Sequence, residues 1–351
     1  FAFPRASLAV NLTKFDFWNA GGVINQLKPR IAWGQTGNSA TFGRLFTTFS
    51  PLNVGGQTGV SVTGPLGDLA LEPETSTELE FGFDAGLFDN KLNIAATYYV
   101  RDVKDLLYDR AIPTSTGFTS EIRNDLDLRN RGFELQLGIN PVRTANVNYS
   151  TTVNFWLNRS EITRLGIPDG SDGEDIPSFV PSGVAFGLGL GTFFIDEGSP
   201  ITGLWNSGPV QNGDTEPDFQ LGWSNNLTVG NFDVSALFHW REGSDILNLT
   251  RLLTDIGGTT PRADDAIEGF IEDGSYFRLR EASVYYNVPL QSDFVRGLRL
   301  GISGRNIFTL TDYSSYDPET STKGGTGLST NIEVTPFPSS KQFYFHLGVN
   351  F

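Results

Sequence analysis

The chain reads as all-β, a transmembrane antiparallel β-barrel, on three observations. Apolar and polar side chains alternate with period two along most of it, the alternating segments are long, and the connections between them alternate short and long. Period two sends successive side chains to opposite faces of a strand, so each segment has a greasy face and a wet one. Most segments reach the roughly 9–11 residues that a tilted strand needs to cross a bilayer, beyond the usual soluble strand of about 5–6.

Eleven segments qualify, near 5–12, 27–36, 75–87, 91–108, 129–141, 145–165, 217–229, 232–249, 274–289, 298–310 and 343–351. In the third, Leu79, Phe81, Phe83 and Ala85 alternate with Glu78, Glu80, Gly82 and Asp84. In the fifth, Phe133, Leu135, Leu137 and Ile139 alternate with Glu134, Gln136 and Asn140. The sixth sets Val147 to Leu157 against Asn148, Ser150, Thr152 and Asn154; the eighth sets Phe232 to Trp240 against Asp233, Ser235, His239 and Arg241. The last sets Phe343, Phe345, Leu347, Val349 and Phe351 against Tyr344, His346, Gly348 and Asn350. In 274–289, Phe277 and Leu279 fit one frame while Ala282, Val284, Tyr286 and Val288 fit the other, which predicts a bulge near Arg280–Glu281.

The connections 37–74, 109–128, 166–216, 250–273 and 311–342 are long, and those between them are short. That is the rule in outer-membrane barrels, with long outer loops and short periplasmic turns. Charge sorts the same way: the five long connections hold 25 acidic and 7 basic residues, in a chain of net charge −15. Eleven is odd, whereas bacterial single-chain barrels close on an even count, and an open edge in lipid leaves backbone groups unpaired. Residues 1–351 are therefore expected to be the C-terminal part of one larger barrel domain.

Composition narrows the function. With no Cys there is no thiol nucleophile or Cys-ligated metal, and the acidic balance argues against nucleic acid. The 28 Phe, 10 Tyr and 6 Trp occur without any apolar run long enough for a spanning helix. The chain lacks Met, and Phe1 opens no leader, so any export signal is expected upstream.

Several motifs in order carry a resemblance. They are Gly34-Gln35-Thr36-Gly37-Asn38, Leu71-Glu72-Pro73-Glu74-Thr75, Thr116-Gly117-Phe118, Asn130-Arg131-Gly132-Phe133-Glu134-Leu135 and Glu197-Gly198-Ser199-Pro200-Ile201. Further on come Asp273 to Arg280 (Asp-Gly-Ser-Tyr-Phe-Arg-Leu-Arg), Gly304 to Thr311, Tyr316-Asp317-Pro318-Glu319 and the terminal Phe351. Together they resemble the C-terminal region of SusC/RagA-like TonB-dependent transporters. The resemblance implies a 22-stranded barrel in a Gram-negative outer membrane and a plug with a TonB box, which this chain lacks. It also implies energy from TonB–ExbB–ExbD, a SusD-like surface lipoprotein as partner, and import of oligosaccharides or peptides. A siderophore or cobalamin-type receptor and a passive porin are the alternatives.

Candidate site residues follow. Trp205, Tyr313 and Tyr316 are the loop aromatics expected to contact substrate, since flat rings stack on sugar faces. Phe179, Phe186, Phe193 and Phe194 are expected either to pack on a partner lipoprotein or to fold over the lumen. Asp169, Asp172, Glu174 and Asp175 crowd oxygen ligands as calcium requires, but their spacing is not that of an EF-hand and the run reads as solvated charge first, with calcium the weaker alternative. Glu78, Glu80 and Asp84 read as charge on a wet wall, and His239 and His346 as isolated wall histidines, without the turn that carries a catalytic serine. No catalytic residue and no cofactor is expected. Tyr98, Trp156, Trp240 and Tyr285 are expected in interfacial girdles. Phe351 ends the terminal strand as an assembly signal, so its removal is expected to lower the yield of folded barrel in the membrane.

Overall fold

The computed structural model describes residues 2–19, 22–40, 42–112, 114–118, 120–165, 193–196, 209–258, 270–290, 294–319, 332–337 and 339–351. Its strands are β1 (Arg5–Ala9), β2 (Ile24–Asn38), β3 (Thr48–Val54), β4 (Gln57–Thr63), β5 (Glu74–Leu87), β6 (Leu92–Ala111), β7 (Ser120–Arg143), β8 (Val147–Leu165) and β9 (Phe193–Asp196). There follow β10 (Pro209–Gly213), β11 (Phe219–Val229), β12 (Phe232–Glu242), β13 (Asp245–Asn248), β14 (Ile271–Asp273), β15 (Tyr276–Val288), β16 (Gly297–Leu310), β17 (Ile332–Glu333) and β18 (Gln342–Asn350). Two short helices, α1 (Phe42–Leu45) and α2 (Leu249–Ile256), lie in connections, and no described helix is long and apolar enough to cross a membrane.

One eleven-stranded sheet holds the long strands in the order β1-β2-β5-β6-β7-β8-β11-β12-β15-β16-β18, each pair antiparallel. These are the eleven alternating segments, in chain order. Register lines up their apolar faces: Leu27, Ala85, Ile94, Leu137, Val153, Trp223, Phe238, Leu279 and Phe308 pair strand by strand in one row. The row two residues nearer the long connections is Pro29, Phe83, Ala96, Leu135, Phe155, Leu221, Trp240, Phe277 and Leu310. Among the described residues no core covers this face. Phe81, Trp223, Phe232, Val284, Ile302, Phe345 and many others stand exposed, while the few buried side chains gather at the long-connection end, among them Ile122, Leu126, Ile246 and Tyr313. An exposed apolar band of this extent is stable only against lipid or a partner.

The bulge falls where the frame change places it: Leu279 and Glu281 pair normally with both neighbours while Arg280 is left out of register. Other expectations are corrected. The segment 232–249 is not one strand, because Gly243 and Ser244 both adopt left-handed φ (72° and 81°) and turn the chain after Glu242. A Cβ at Gly243 would also lie 2.9 Å from the Asp218 nitrogen, so only glycine fits there. Beyond the turn come β13 and α2, whose first turn is capped by Asn248 Oδ1 accepting from the Arg251 amide at 3.0 Å. The connection 109–128 is mostly strand, since β6 and β7 run on past the apolar band to Ala111 and from Ser120. The connection 37–74 contains the hairpin β3–β4, turned at Gly55-Gly56, both with positive φ.

Gly132 has a packing role. The Tyr99 ring lies across it, and a Cβ there would meet Tyr99 Cζ at 2.2 Å. Gly132→Val is expected to displace Tyr99, break its 3.0 Å hydrogen bond to Asn158 and destabilise the barrel by about 1–3 kcal/mol, read by urea unfolding in lipid vesicles.

Candidate functional site: a polar wall and its cap

The face opposite the apolar band is wet. One of its rows runs Arg30, Gly82, Thr97, Glu134, Trp156, Gln220, Arg241 and Tyr276. Arg30, Thr97, Glu134, Gln136, Asn154 and Trp156 line an open recess of about 540 Å³, and Arg30 donates to Thr97 Oγ1 at 2.5 Å. The Trp156 ring stacks on His239, with centroids 5.9 Å apart. Trp156 and Tyr285 therefore stand on the polar wall, not in a girdle. Trp156 pairs with Glu134 and Gln220; Tyr285 pairs with Asp233 and Gly301, and Arg299 lies 4.1 Å over its ring. Parity already put Trp156 in the polar frame, and the bulge hands the apolar position to Tyr286, which packs on Phe232. Tyr98 and Trp240 do lie on the apolar face and are exposed.

Glu78, Glu80 and Asp84 line the wall as expected, with Arg101 near Glu78 and Lys28 and Arg30 near Asp84. His346 accepts from or donates to Ser303 Oγ at 2.7 Å, but its ring neighbours are Tyr285 and Tyr344, so no carboxylate orients it for catalysis among the described contacts.

At the long-connection end, the wall carries Tyr276, Arg278 and Arg280 close together, the bulge adding Arg280 to the set. The segment 311–319 folds back onto them. Arg278, 3% exposed, donates to Asp317 Oδ1 and to Glu319 Oε2, both at 2.5 Å. Arg280 donates to Glu319 Oε2 at 2.8 Å, and the Tyr276 hydroxyl donates to Glu319 Oε1 at 2.5 Å. His239 Nδ1 lies 3.0 Å from that hydroxyl. Two motifs about forty residues apart in sequence thus meet as one ion-pair clamp. Burial pushes the Asp317 and Glu319 carboxyls up, but hydrogen bonds from Arg278 to the first, and from Arg280 and Tyr276 to the second, outweigh it and hold both below the usual carboxylate range.

The clamp joins a cap built from two connections. β13 pairs antiparallel with β14 and parallel with β17. Fully buried Glu333 accepts from Ser315 Oγ at 2.6 Å and from the Tyr313 hydroxyl. Glu272 accepts from the Ser314 amide, from Asn248 and from Arg251. Burial and Glu333 together raise the Tyr313 pKa, keeping it a neutral donor. Of the loop aromatics, Tyr313 is buried beneath this cap and Tyr316 stands 59% exposed beside it. Trp205, Phe179, Phe186 and the acidic run Asp169, Asp172, Glu174 and Asp175 lie outside the described residues. Phe351 is exposed and packs edge-on against Phe294. Sequence reasoning missed Trp156 and the clamp: the first had a parity signal, the second none.

A sheet of long strands, greasy on one face and charged on the other, with an elaborate cap at one end, defines a membrane β-barrel. Residues 2–307 match the family described as "TonB dependent receptor-like, beta-barrel", and the chain belongs to it, a family of outer-membrane receptors. TonB-dependent receptor P3 of Formosa agariphila is 28% identical over 99% of this chain, and SusC of Bacteroides thetaiotaomicron 22% identical over 99%. The chain spans 42% and 40% of those relatives. The fold is similar to that in the solved RagAB peptide transporter, with a TM-score of 0.80 at 20% identity, covering 99% of this chain and 43% of the other. The SusC/RagA resemblance read from the motifs is shown.

Proposed function

We propose that this chain is the C-terminal part of the barrel of a SusC-like active importer, carrying oligosaccharides or peptides across the outer membrane of a Gram-negative bacterium. In this reading the plug and the N-terminal strands precede Phe1 and complete the barrel against the edges β1 and β18. The long connections face outward and the C-terminus lies in the periplasm. A SusD-like lipoprotein covers the outer mouth, and TonB–ExbB–ExbD supplies energy through the plug. No bond chemistry is required of it.

The observation that carries the reading is the recess around Trp156. An aromatic ring beside two amides, a carboxylate and a guanidinium suits sugar faces and peptide groups, and it sits on the wet face of a sheet whose other face carries a broad apolar band. Tyr316 and Trp205 are proposed as contacts nearer the mouth, with Tyr313 holding the Tyr316 segment in place.

Growth of a deletion strain on a panel of glycans and peptides tests this. Loss of growth on one such class, restored by the gene, is the expected result. Growth equal to the parent on every member, with a defect only under iron or cobalamin limitation, would move the protein to the siderophore-type alternative. Complementation with Trp156→Ala is expected to slow uptake of the limiting substrate about three- to tenfold at unchanged protein level.

A further inference from the structure

On the apolar face, the row Ala6, Trp33, Leu79 and Val100 runs into Arg131 and Arg159, which pair directly across β7 and β8. They stand one step beyond Phe133 and Leu157 toward the long connections, on the same face. Directly opposite side chains lie about 5 Å apart at Cβ, and like charges so placed repel. Arg159 relieves part of this by turning to Asp218 Oδ1, 2.6 Å away, and to the Pro217 carbonyl at 2.7 Å. One step further out, Arg129 stands between Asp102, 2.6 Å from its Nε, and its cross-strand partner Glu161. Arg131 is exposed, and no hydrogen bond or ion pair joins it to any described residue. Trp33, 38% exposed in the same row, marks the level at which amphipathic rings meet a bilayer surface.

We propose that Arg131, with Arg159 opposite, binds the phosphate of a lipid headgroup on the barrel's outer surface. The charge complementarity and the height both point to that occupant. Two phosphate oxygens accept the paired N–H donors of a planar guanidinium, the phosphate charge offsets the Arg131–Arg159 repulsion, and headgroup phosphates lie just beyond an apolar band. A free anion or an acidic protein segment lacks the acyl chains that would cover Phe133, Leu157 and Tyr98 beneath.

The proposal rests on the apolar face lying in the membrane, as proposed above, and not on import. The full-length protein is placed in nanodiscs of a phosphate-free galactolipid containing lipid A, dephosphorylated lipid A or neither, with inorganic phosphate as a separate arm. Bound lipid is read by native mass spectrometry, and Arg131 protection by an arginine-specific dicarbonyl. Lipid A is expected to be retained and to protect Arg131, with retention falling about tenfold in Arg131→Gln, little in Arg131→Lys, and not at all in Arg305→Gln on the polar wall. Equal retention by Arg131→Gln, equal retention of dephosphorylated lipid, or equal protection by inorganic phosphate would overturn the lipid phosphate site. So would protection conferred in phosphate-free discs by a co-purifying protein. Retained lipid alongside normal growth of the deletion strain would sink the import reading alone.

Discussion

Arg278→Met is expected to unfasten the cap. Arg278 and Asp317 are each almost wholly enclosed, and removing the guanidinium leaves Asp317 a buried carboxylate without its buried cation, at a cost of about 3–5 kcal/mol. Asp317 would then protonate or swing out, and its 3.0 Å bond from the Glu319 amide would go with it. Glu319 keeps Arg280 and Tyr276, so the barrel wall itself is expected to stay folded. The measurement is limited proteolysis of the segment 311–319 in the purified full-length protein, with urea unfolding in vesicles as control. Adding Asp317→Asn, which still accepts from the Glu319 amide without charge, is expected to restore much of the protection. Unchanged proteolysis in Arg278→Met would show that the clamp does not hold the cap.

Acid gives the same test without mutation. Asp317 and Glu319 have folded pKa values below the ordinary carboxylate range, so their contribution is complete above about pH 4 and is lost as pH falls through the folded values. The cap of the parent protein is therefore expected to withstand mild acid and to loosen only below about pH 4. Loosening already between neutral pH and about pH 5 would contradict the sign of these shifts.

Val153→Arg and Asn154→Arg are expected to part company sharply although the residues are neighbours. Val153 lies mid-strand in the apolar row between Leu137 and Trp223, so an arginine there meets lipid at depth, at about 2–4 kcal/mol. Asn154 lines the wet recess, where a charge stays hydrated. Folded, heat-modifiable protein in outer-membrane fractions should fall for the first and stay near normal for the second. Equal yields would mean that the apolar face does not lie in lipid.

These predictions differ in how much of each could be read from the chain. Val153 and Asn154 are assigned by counting residues, because strand geometry alternates faces whatever the tertiary fold does. The bulge at Arg280 is legible for the same reason, as the point where Phe277 and Leu279 lose phase with Ala282 and Val284. Trp156 obeyed parity and was misread only because aromatic rings near strand ends suggested a girdle. The turn at Gly243-Ser244, the Gly55-Gly56 hairpin and the Asn248 cap each have a local signal overridden by the longer alternation around them. No local signal could announce the clamp. Arg278 and Asp317 are separated by a whole strand and part of a connection, and each alone reads as ordinary charge on a wet surface.

What the sequence determined by itself is the number of strands in the main sheet, which residues face apart and the family, because these rest on periodicity of two residues and on short motifs. What only the tertiary structure decided is which connections meet, that Tyr313 is buried while Tyr316 is not, and that Arg131 faces another arginine with no carboxylate of its own. Alternation is dictated by the covalent geometry of neighbouring residues. Partnership across strands is set by register and by where long connections come back down, and burial then multiplies the strength of charges that water would otherwise screen.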